Sequence, residues 1–433
     1  MVCRIAAFVA AVLFAGAAHF VAAAADHATV TFVEASPPSA AGDAVTAIGL
    51  RSRQEPRPEA AAIVVLVDTS ASQAGEFRTR SLEAARTILG TSQPGDLFSL
   101  AAVDIGVTPL TPAFHAAKAD EVAAALTRLE ARTPLGSTDF VAALTAAADL
   151  LAERADPRFV VYIGDGSGIE GVDPAEFAAC MKRLADLHVA VSSIGVGPQV
   201  NWPLLAATAA GTGGLFVPDS ADEAASIARS HVHAIAWPAA ATCVAPGNRG
   251  VSLLPTRVPP LRSDRDTVIL ARGAAGGGSL DLTIADRGET AAAQALPIPA
   301  CEPADTNAYL AELVRNAAST DGLFLPLAGR EALAVARDVV HREAAHLAML
   351  SRQAEETGAH DSAIRLAEAS LRRDPDNVEA AVIRQAALKQ GEPTVEELPA
   401  ADPLPQLPAG DASFDEPATE LAEMQAMRRV AAQ

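Results

Sequence analysis

Ala61-Ala62-Ile63-Val64-Val65-Leu66-Val67-Asp68-Thr69-Ser70-Ala71-Ser72 is the stretch on which the fold turns. From Ala61 to Val67 the chain is apolar without a break, the pattern of a strand buried on both faces of a parallel sheet. The run stops at a carboxylate and two hydroxyls in alternation, D-x-S-x-S. On a loop leaving a strand, that spacing lets Asp68, Ser70 and Ser72 converge on one point. The point lies beyond the carboxyl end of the strand, where doubly wound sheets bind their ligands. Alone the pattern is weak, because Asp and Ser are common wherever a helix begins.

Downstream, short apolar runs alternate with amphipathic stretches. Strands are expected at 96–103, 107–110, 158–163, 189–196 and 215–217. Helices are expected at 75–90, 118–132, 137–154, 174–187, 202–210 and 222–235. Such alternation implies an α/β fold with a doubly wound, mostly parallel sheet covered on both faces, over residues 61–237.

Two later segments add weight to the first. Thr138 follows Leu135-Gly136-Ser137 and opens a helix, so its hydroxyl sits on an adjacent loop. Asp165 ends the strand Phe159-Val160-Val161-Tyr162-Ile163-Gly164 and precedes Gly166. Three strand-end loops thus offer two carboxylates and three hydroxyls to one place. All are hard oxygens, suited to Mg²⁺ first, then Mn²⁺ or Ca²⁺, and poorly suited to zinc.

These segments resemble the metal-ion-dependent adhesion site of von Willebrand factor type A domains, as in integrin inserted domains and many bacterial surface proteins. The resemblance implies that Ser70, Ser72 and Thr138 bind the metal directly, and Asp68 and Asp165 directly or through water. It implies a partner carboxylate completing the shell. One departure is plain: the family often has Thr or Ser before the last Asp, and here stands Gly164. That change is expected to remove a supporting hydrogen bond without removing a ligand. Asp104 and Asp139 lie near enough to tune the site, but read as solvated loop carboxylates. His231 and His233 face different sides of their helix and read as structural or exposed.

The flanks read differently. Arg4 and an apolar run from Ile5 to Ala25, ending in Ala23-Ala24-Ala25 before Asp26, form a signal peptide cleaved after Ala25, with an uncleaved anchor as the competing reading. Residues 26–60 read as a lead-in with one strand at 28–33 and a linker. Residues 238–302, with β-like runs at 251–254, 267–271 and 279–284 among Pro and Gly, suggest a small antiparallel β-sandwich to which the 28–33 strand could add. Cys243 and Cys301 bracket that segment, and an oxidising compartment would let them pair. Cys180 reads as a buried free thiol.

Residues 303–390 read as helical, and Leu347, Leu350, Ala363, Ile364, Ala367, Leu371 and Pro375 fall on the spacing of a tetratricopeptide-like repeat. Ala354 and Ala367 are smaller than that repeat prefers, and a plain helical hairpin fits as well. Residues 391–418, rich in proline and acid, read as a disordered linker, and 419–433 as a terminal helix.

A net charge of −20 argues against nucleic acid, and no later segment is apolar and long enough to span a membrane. The leader and the resemblance together imply an exported, periplasmic or cell-surface protein that binds protein partners through a metal and, secondarily, through its helices. A metal-assisted hydrolase is the rival, weakened because the three loops hold no His and the chain has no nucleophile elbow or phosphate loop. A scaffold with no metal dependence is the third reading.

Overall fold

The computed structural model describes residues 27–391 except 39–43, 57–58, 169–170, 234 and 286–291. The expected signal peptide, acidic linker (save Gly391) and terminal helix lie outside the described residues. The chain forms two units, Met1–Lys389 and Gln390–Gln433, and the second is described only at its first two residues.

Two strands come first, β1 (Ala28–Ala35) and β2 (Val45–Ser52). Then follow β3 (Ala62–Asp68), α1 (Glu76–Gly90), β4 (Leu97–Val103), β5 (Val107–Pro109) and β6 (His115–Ala116). Next are α2 (Asp120–Ala131), α3 (Phe140–Leu151), β7 (Arg158–Gly164) and α4 (Pro174–Asp186). β8 (Val189–Gly195), α5 (Trp202–Thr212), β9 (Phe216–Pro218) and α6 (Ala221–Arg229) complete the α/β part.

Its sheet has the order β5-β4-β3-β7-β8-β9, with β6 beside β4. β3, β4, β7, β8 and β9 are parallel, while β5 and β6 run antiparallel to β4. β3 is central and wholly buried, and it feeds two cores. Ile63, Val65 and Val67 meet Ala85, Ile88 and Val122 on one face. Ala62, Val64 and Leu66 meet Leu144, Ala147 and Leu204 on the other. The unbroken apolar run is thus a strand with no solvent face. Chain order leaves β3 toward β4 on one side and returns to β7 on the other, so the crevice between the ends of β3 and β7 is the switch point of the sheet.

The expected helix at 222–235 ends early. Ser230–Val232 is a single 3-10 turn, and Ile235 already begins β10 (Ile235–Ala245) of a second sheet. Its other strands are β11 (Arg249–Leu254), β12 (Leu261–Arg262), β13 (Thr267–Arg272), β14 (Ser279–Ala285) and β15 (Ala292–Pro297). The order is β1-β2-β13-β11-β10-β14-β15, with β12 on β10, and every pairing is antiparallel.

This sheet is barrel-like rather than a two-layer sandwich. Gln294 on β15 reaches β1: its Oε1 accepts from the amides of His27 and Ala28, and its Nε2 donates to the Ala28 carbonyl, each at 3.0 Å. Ile48, Leu50, Ile269, Leu280 and Leu282 fill the interior. β2 lies in what reads as lead-in, yet Val45 to Leu50 are buried throughout. Cys243 and Cys301 are unpaired. Cys243 points into the core, whereas the Cys301 thiol lies past β15 and donates to the Val33 carbonyl at 3.5 Å.

Two arginines join the sheets. Arg262, fully buried, donates to both Asp264 carboxylate oxygens at 2.6 Å, to the Gly213 carbonyl at 2.9 Å and to the Ser230 carbonyl at 3.1 Å. Arg265 donates to the Gly214 carbonyl at 2.7 Å, just past α5.

The helical region holds α7 (Tyr309–Ala317), α8 (Gly329–Glu356), α9 (His360–Arg373) and α10 (Val378–Gly391). Tyr309 and Leu310 of α7 pack on Phe32, Val45 and Leu270. Residues 321–328 are not helical, contrary to expectation. α8 and α9 form a hairpin turned at Gly358, whose φ of +78° favours glycine. Small residues bring the two helices close enough for Ser351 Oγ to donate to the Ala363 carbonyl and Ser370 Oγ to the Ala344 carbonyl, both at 2.7 Å. Asn377 caps α10 as expected, accepting from the Ala380 amide at 3.0 Å. Among the described residues no helix is long and apolar enough to cross a membrane.

Candidate metal centre

The three expected loops meet at the carboxyl end of β3 and β7. Two backbone bonds zip the first to the second: the Leu135 amide donates to the Thr69 carbonyl and the Ala71 amide to the Gly136 carbonyl, both at 3.0 Å. The third is tied to the α5 entry by the Asn201 amide, which donates to the Asp165 carbonyl at 2.8 Å.

Asp68 is the hub. Its Oδ1 accepts from the Ser70 amide at 2.8 Å, and its Oδ2 accepts from the Thr138 and Tyr162 hydroxyls, both at 2.8 Å. Ser70 and Ser72 hold their hydroxyl oxygens 3.0 Å apart. Asp165 Oδ1 accepts from the Ser167 amide at 2.9 Å, and Oδ2 lies 3.4 Å from the Gln73 amide nitrogen. Asp68, Ser70, Thr138 and Asp165 are buried, and Ser72 is half-buried.

Each aspartate lies over a glycine. A Cβ at Gly164 would stand 2.3 Å from Asp68 Cβ, and one at Gly197 would stand 2.6 Å from Asp165 Cβ. The absence of a hydroxyl residue at 164 is therefore steric: Asp68 occupies that space. The hydroxyl of Tyr162, two residues before Gly164, donates to Asp68.

The electrostatics are unusual for two buried charges. Asp68 and Asp165 are 0% and 1% exposed, and the hydrogen bonds they accept all come from neutral donors. Burial pushes the Asp68 carboxyl above its ordinary value, more than the donors of Ser70, Thr138 and Tyr162 pull it back. Burial, then the Asp68 charge, raises the Tyr162 phenol well above its ordinary value, so it stays a donor. A buried carboxylate needs a counter-charge or a metal. The hard-oxygen set of two carboxylates and three hydroxyls fits a small divalent cation. Among the described residues no group of three or more His, Cys, Asp or Glu is placed to hold a metal.

Neighbouring residues take other roles. Arg132 pairs with Asp104 at 2.5 Å, and Asp139 caps α3 by accepting from the Ala142 amide at 2.9 Å. His231 is buried against Asp96 at the opposite end of the sheet, 3.3 Å away, and His233 lies 3.7 Å from Asp264. Cys180 is buried, as expected. Two residues escaped the sequence reading. Tyr162 looks like core, and Gln73, one past the motif, bridges Asp165 and the Val196 carbonyl at 2.9 Å while accepting from Ser81 at 3.2 Å. A single tyrosine in an aliphatic strand was the available signal for the first. A cleft of 590 Å³ opens beside Thr138, and Ile105 and Leu135 stand 76% and 73% exposed on the neighbouring loops.

Residues 61–217 match the family described as von Willebrand factor type A domain. No curated protein matches the chain. Among solved structures, the chain is similar to a von Willebrand factor type A protein from Catenulispora acidiphila, with 15% identity over 83% of this chain and 87% of that one, and a TM-score of 0.46. It is similar to the ArnB paralog VWA2 from Sulfolobus acidocaldarius, with 14% identity over 83% and 98%, and a TM-score of 0.42. It is also similar to the manganese-loaded TRAP protein of Plasmodium vivax, with 15% identity over 57% and 96%, and a TM-score of 0.35. Residues 61–217 thus form a von Willebrand factor A-superfamily domain.

Proposed function

We propose that the A-type domain binds a protein partner through a divalent cation, Mg²⁺ foremost, held by Asp68, Ser70, Ser72, Thr138 and Asp165. One observation carries this: two sealed carboxylates, met only by neutral donors, stand on loops that also carry three hydroxyls, with Thr138 bonded to Asp68 and Ser70 beside Ser72. The hydroxyls would bind the ion directly, and the carboxylates directly or through water. With so few carboxylates the ion stays electrophilic enough to attract an acidic group on the partner. Exposed Ile105 and Leu135 would supply apolar contact beside it.

A scaffold that needs no metal is the second reading, and specific observations favour it. Asp68 already accepts three hydrogen bonds from protein groups, and its raised carboxyl value eases neutralisation without an ion. The described residues gather no larger set of metal-ligating side chains.

We read the apolar leader as an export signal, which supports a periplasmic or cell-surface location. We divide the chain at 61–237, 238–302 and 303–390, with β1, β2 and the start of β10 joining the middle part. The α8–α10 segment is assigned as a tetratricopeptide-like contact surface, supported by its hairpin and by exposed Val378 and Val382.

The test is calorimetric titration of Mg²⁺ and Mn²⁺ into the full chain beside Asp68→Ala and Thr138→Ala. Saturable binding abolished by both substitutions supports the cation site. A folded wild type that binds neither ion passes the case to the scaffold.

A further inference from the structure

From Phe159 to Ile163 every side chain of β7 is a hydrocarbon except at Tyr162, whose hydroxyl is the only aromatic one bonded to Asp68 among the described residues. Tyr162 and Gly164 are two apart in a strand, so they share a face of the sheet. The ring is fully buried and set edge-on to Phe140, with centroids 4.9 Å apart at 84°. Its oxygen donates to Asp68 Oδ2 at 2.8 Å and accepts from the Gly166 amide at 3.1 Å. A Cβ on residue 164 would stand 2.7 Å from that oxygen. The tyrosine therefore delivers its hydroxyl to the place where a residue-164 side chain would begin.

We propose that Tyr162 is a positioning residue for the cation site, doing from two residues away what a Ser or Thr at 164 would otherwise do; this rests on the cation reading above. Asp68 Oδ2 is shared by Tyr162 and Thr138. Holding that oxygen in place keeps the Thr138 hydroxyl hydrogen directed at Asp68, which leaves the Thr138 lone pairs free for an ion. The same phenol satisfies the Gly166 amide and so fixes the turn that carries Asp165. One hydroxyl thereby links both carboxylate loops. Tyr162 acts behind the ligands, giving its hydrogen to Asp68 and accepting from the Gly166 amide.

The experiment titrates Mn²⁺ into the full chain calorimetrically and follows the ion-induced shift in melting temperature. The variants are Tyr162→Phe, Tyr162→Leu as a second hydroxyl-free variant with relaxed packing, and Phe140→Leu. Loss of a hydrogen-bond partner behind a ligand weakens metal binding about 10- to 100-fold. Both Tyr162 variants should show that loss and a smaller ion-induced shift. Phe140→Leu disturbs the same ring without touching a polar atom, so it should lower the melting temperature and leave the Mn²⁺ affinity unchanged. Wild-type affinity in a folded Tyr162 variant overturns the proposal, as does an equal loss in Phe140→Leu. If wild type itself binds no Mn²⁺, the cation reading fails and this proposal falls with it.

Discussion

Replacing Asp68 with Asn should change stability in opposite directions with and without a cation. In chelator, Asp68 is a buried carboxylate whose value is raised by burial. A group raised in the folded state adds stability only below its unfolded value, and that contribution is lost as pH rises through the folded value. At neutral pH the ionised carboxylate thus weighs against the fold. Asn keeps the shape: its carbonyl can accept from the Ser70 amide, and its amide can donate to the Thr138 and Tyr162 oxygens once those hydroxyls rotate. The variant should therefore melt at or above wild type in chelator. Its advantage should fade as pH falls toward the ordinary carboxyl value of 3.8.

With cation the order reverses. An ion at a hundred times its Kd stabilises the folded state by about 2.7 kcal/mol. For a domain the size of residues 61–217, each kcal/mol moves the melting temperature by about 2–4 °C. Wild type should then gain about 5–11 °C in saturating Mn²⁺, and the Asn variant almost nothing. Differential scanning calorimetry in chelator and across a Mn²⁺ series reads both terms. An Asn variant that is clearly less stable in chelator, yet shifts with Mn²⁺ as far as wild type does, would refute the reasoning.

Other substitutions test other parts of the molecule. Gly164→Ala forces a Cβ to within 2.3 Å of Asp68 Cβ, and overpacking of this kind should cost about 1–3 kcal/mol in urea unfolding. Arg262→Met leaves the buried Gly213 and Ser230 carbonyls and Asp264 without their donor, and should cost about 3–5 kcal/mol; an unchanged guanidinium midpoint would sink that account. Burial alone would raise the Asp96 carboxyl, but hydrogen bonds from His231 and the Ala61 and Gln93 amides outweigh it and hold the group low. Asp96 thus adds stability above 3.8 that is lost as pH falls through its lower folded value, so Asp96→Asn should flatten the acid limb of the stability profile. Burial, with Asp281 nearby, pushes the Cys243 thiol up to about 11, so alkylation of the native protein should mark half-buried Cys301 first.

Much of the α/β domain could be read from the chain because its signals are local. Ala61–Val67 has to be buried on both faces, and Asp68, Thr138 and Asp165 each stand where an element ends. The same locality explains the misses. Tyr162 reads as core because nothing nearby in sequence announces that its hydroxyl meets a residue on β3. Gln73 lies on a short turn without periodicity. The pattern of α6 (Ala221–Arg229) reads on to 235 because Val232 and Ile235 keep an apolar spacing after the backbone has left the helix. β2 went unseen because a short apolar run beside turn residues needs partners to become a strand, and its partners β1 and β13 lie on opposite sides of the A-type domain in sequence. Closure of the barrel-like sheet depends on Gln294 and Ala28, which no local pattern connects.

That interleaving bears on the order in which the protein is made. β1 and β2 precede the A-type domain in the chain, but β13 can pair with β2 only once residues 267–272 are present. The intervening A-type domain has its strands and helices in one continuous stretch and can fold as it appears. The two early strands must wait meanwhile, with the apolar Val45–Leu50 edge of β2 uncovered on one side. Until β13 arrives, that edge is a template for pairing with other chains. A chain cut short before residue 267 would keep it exposed, so the later strands serve as much to retire a sticky edge as to complete a sheet.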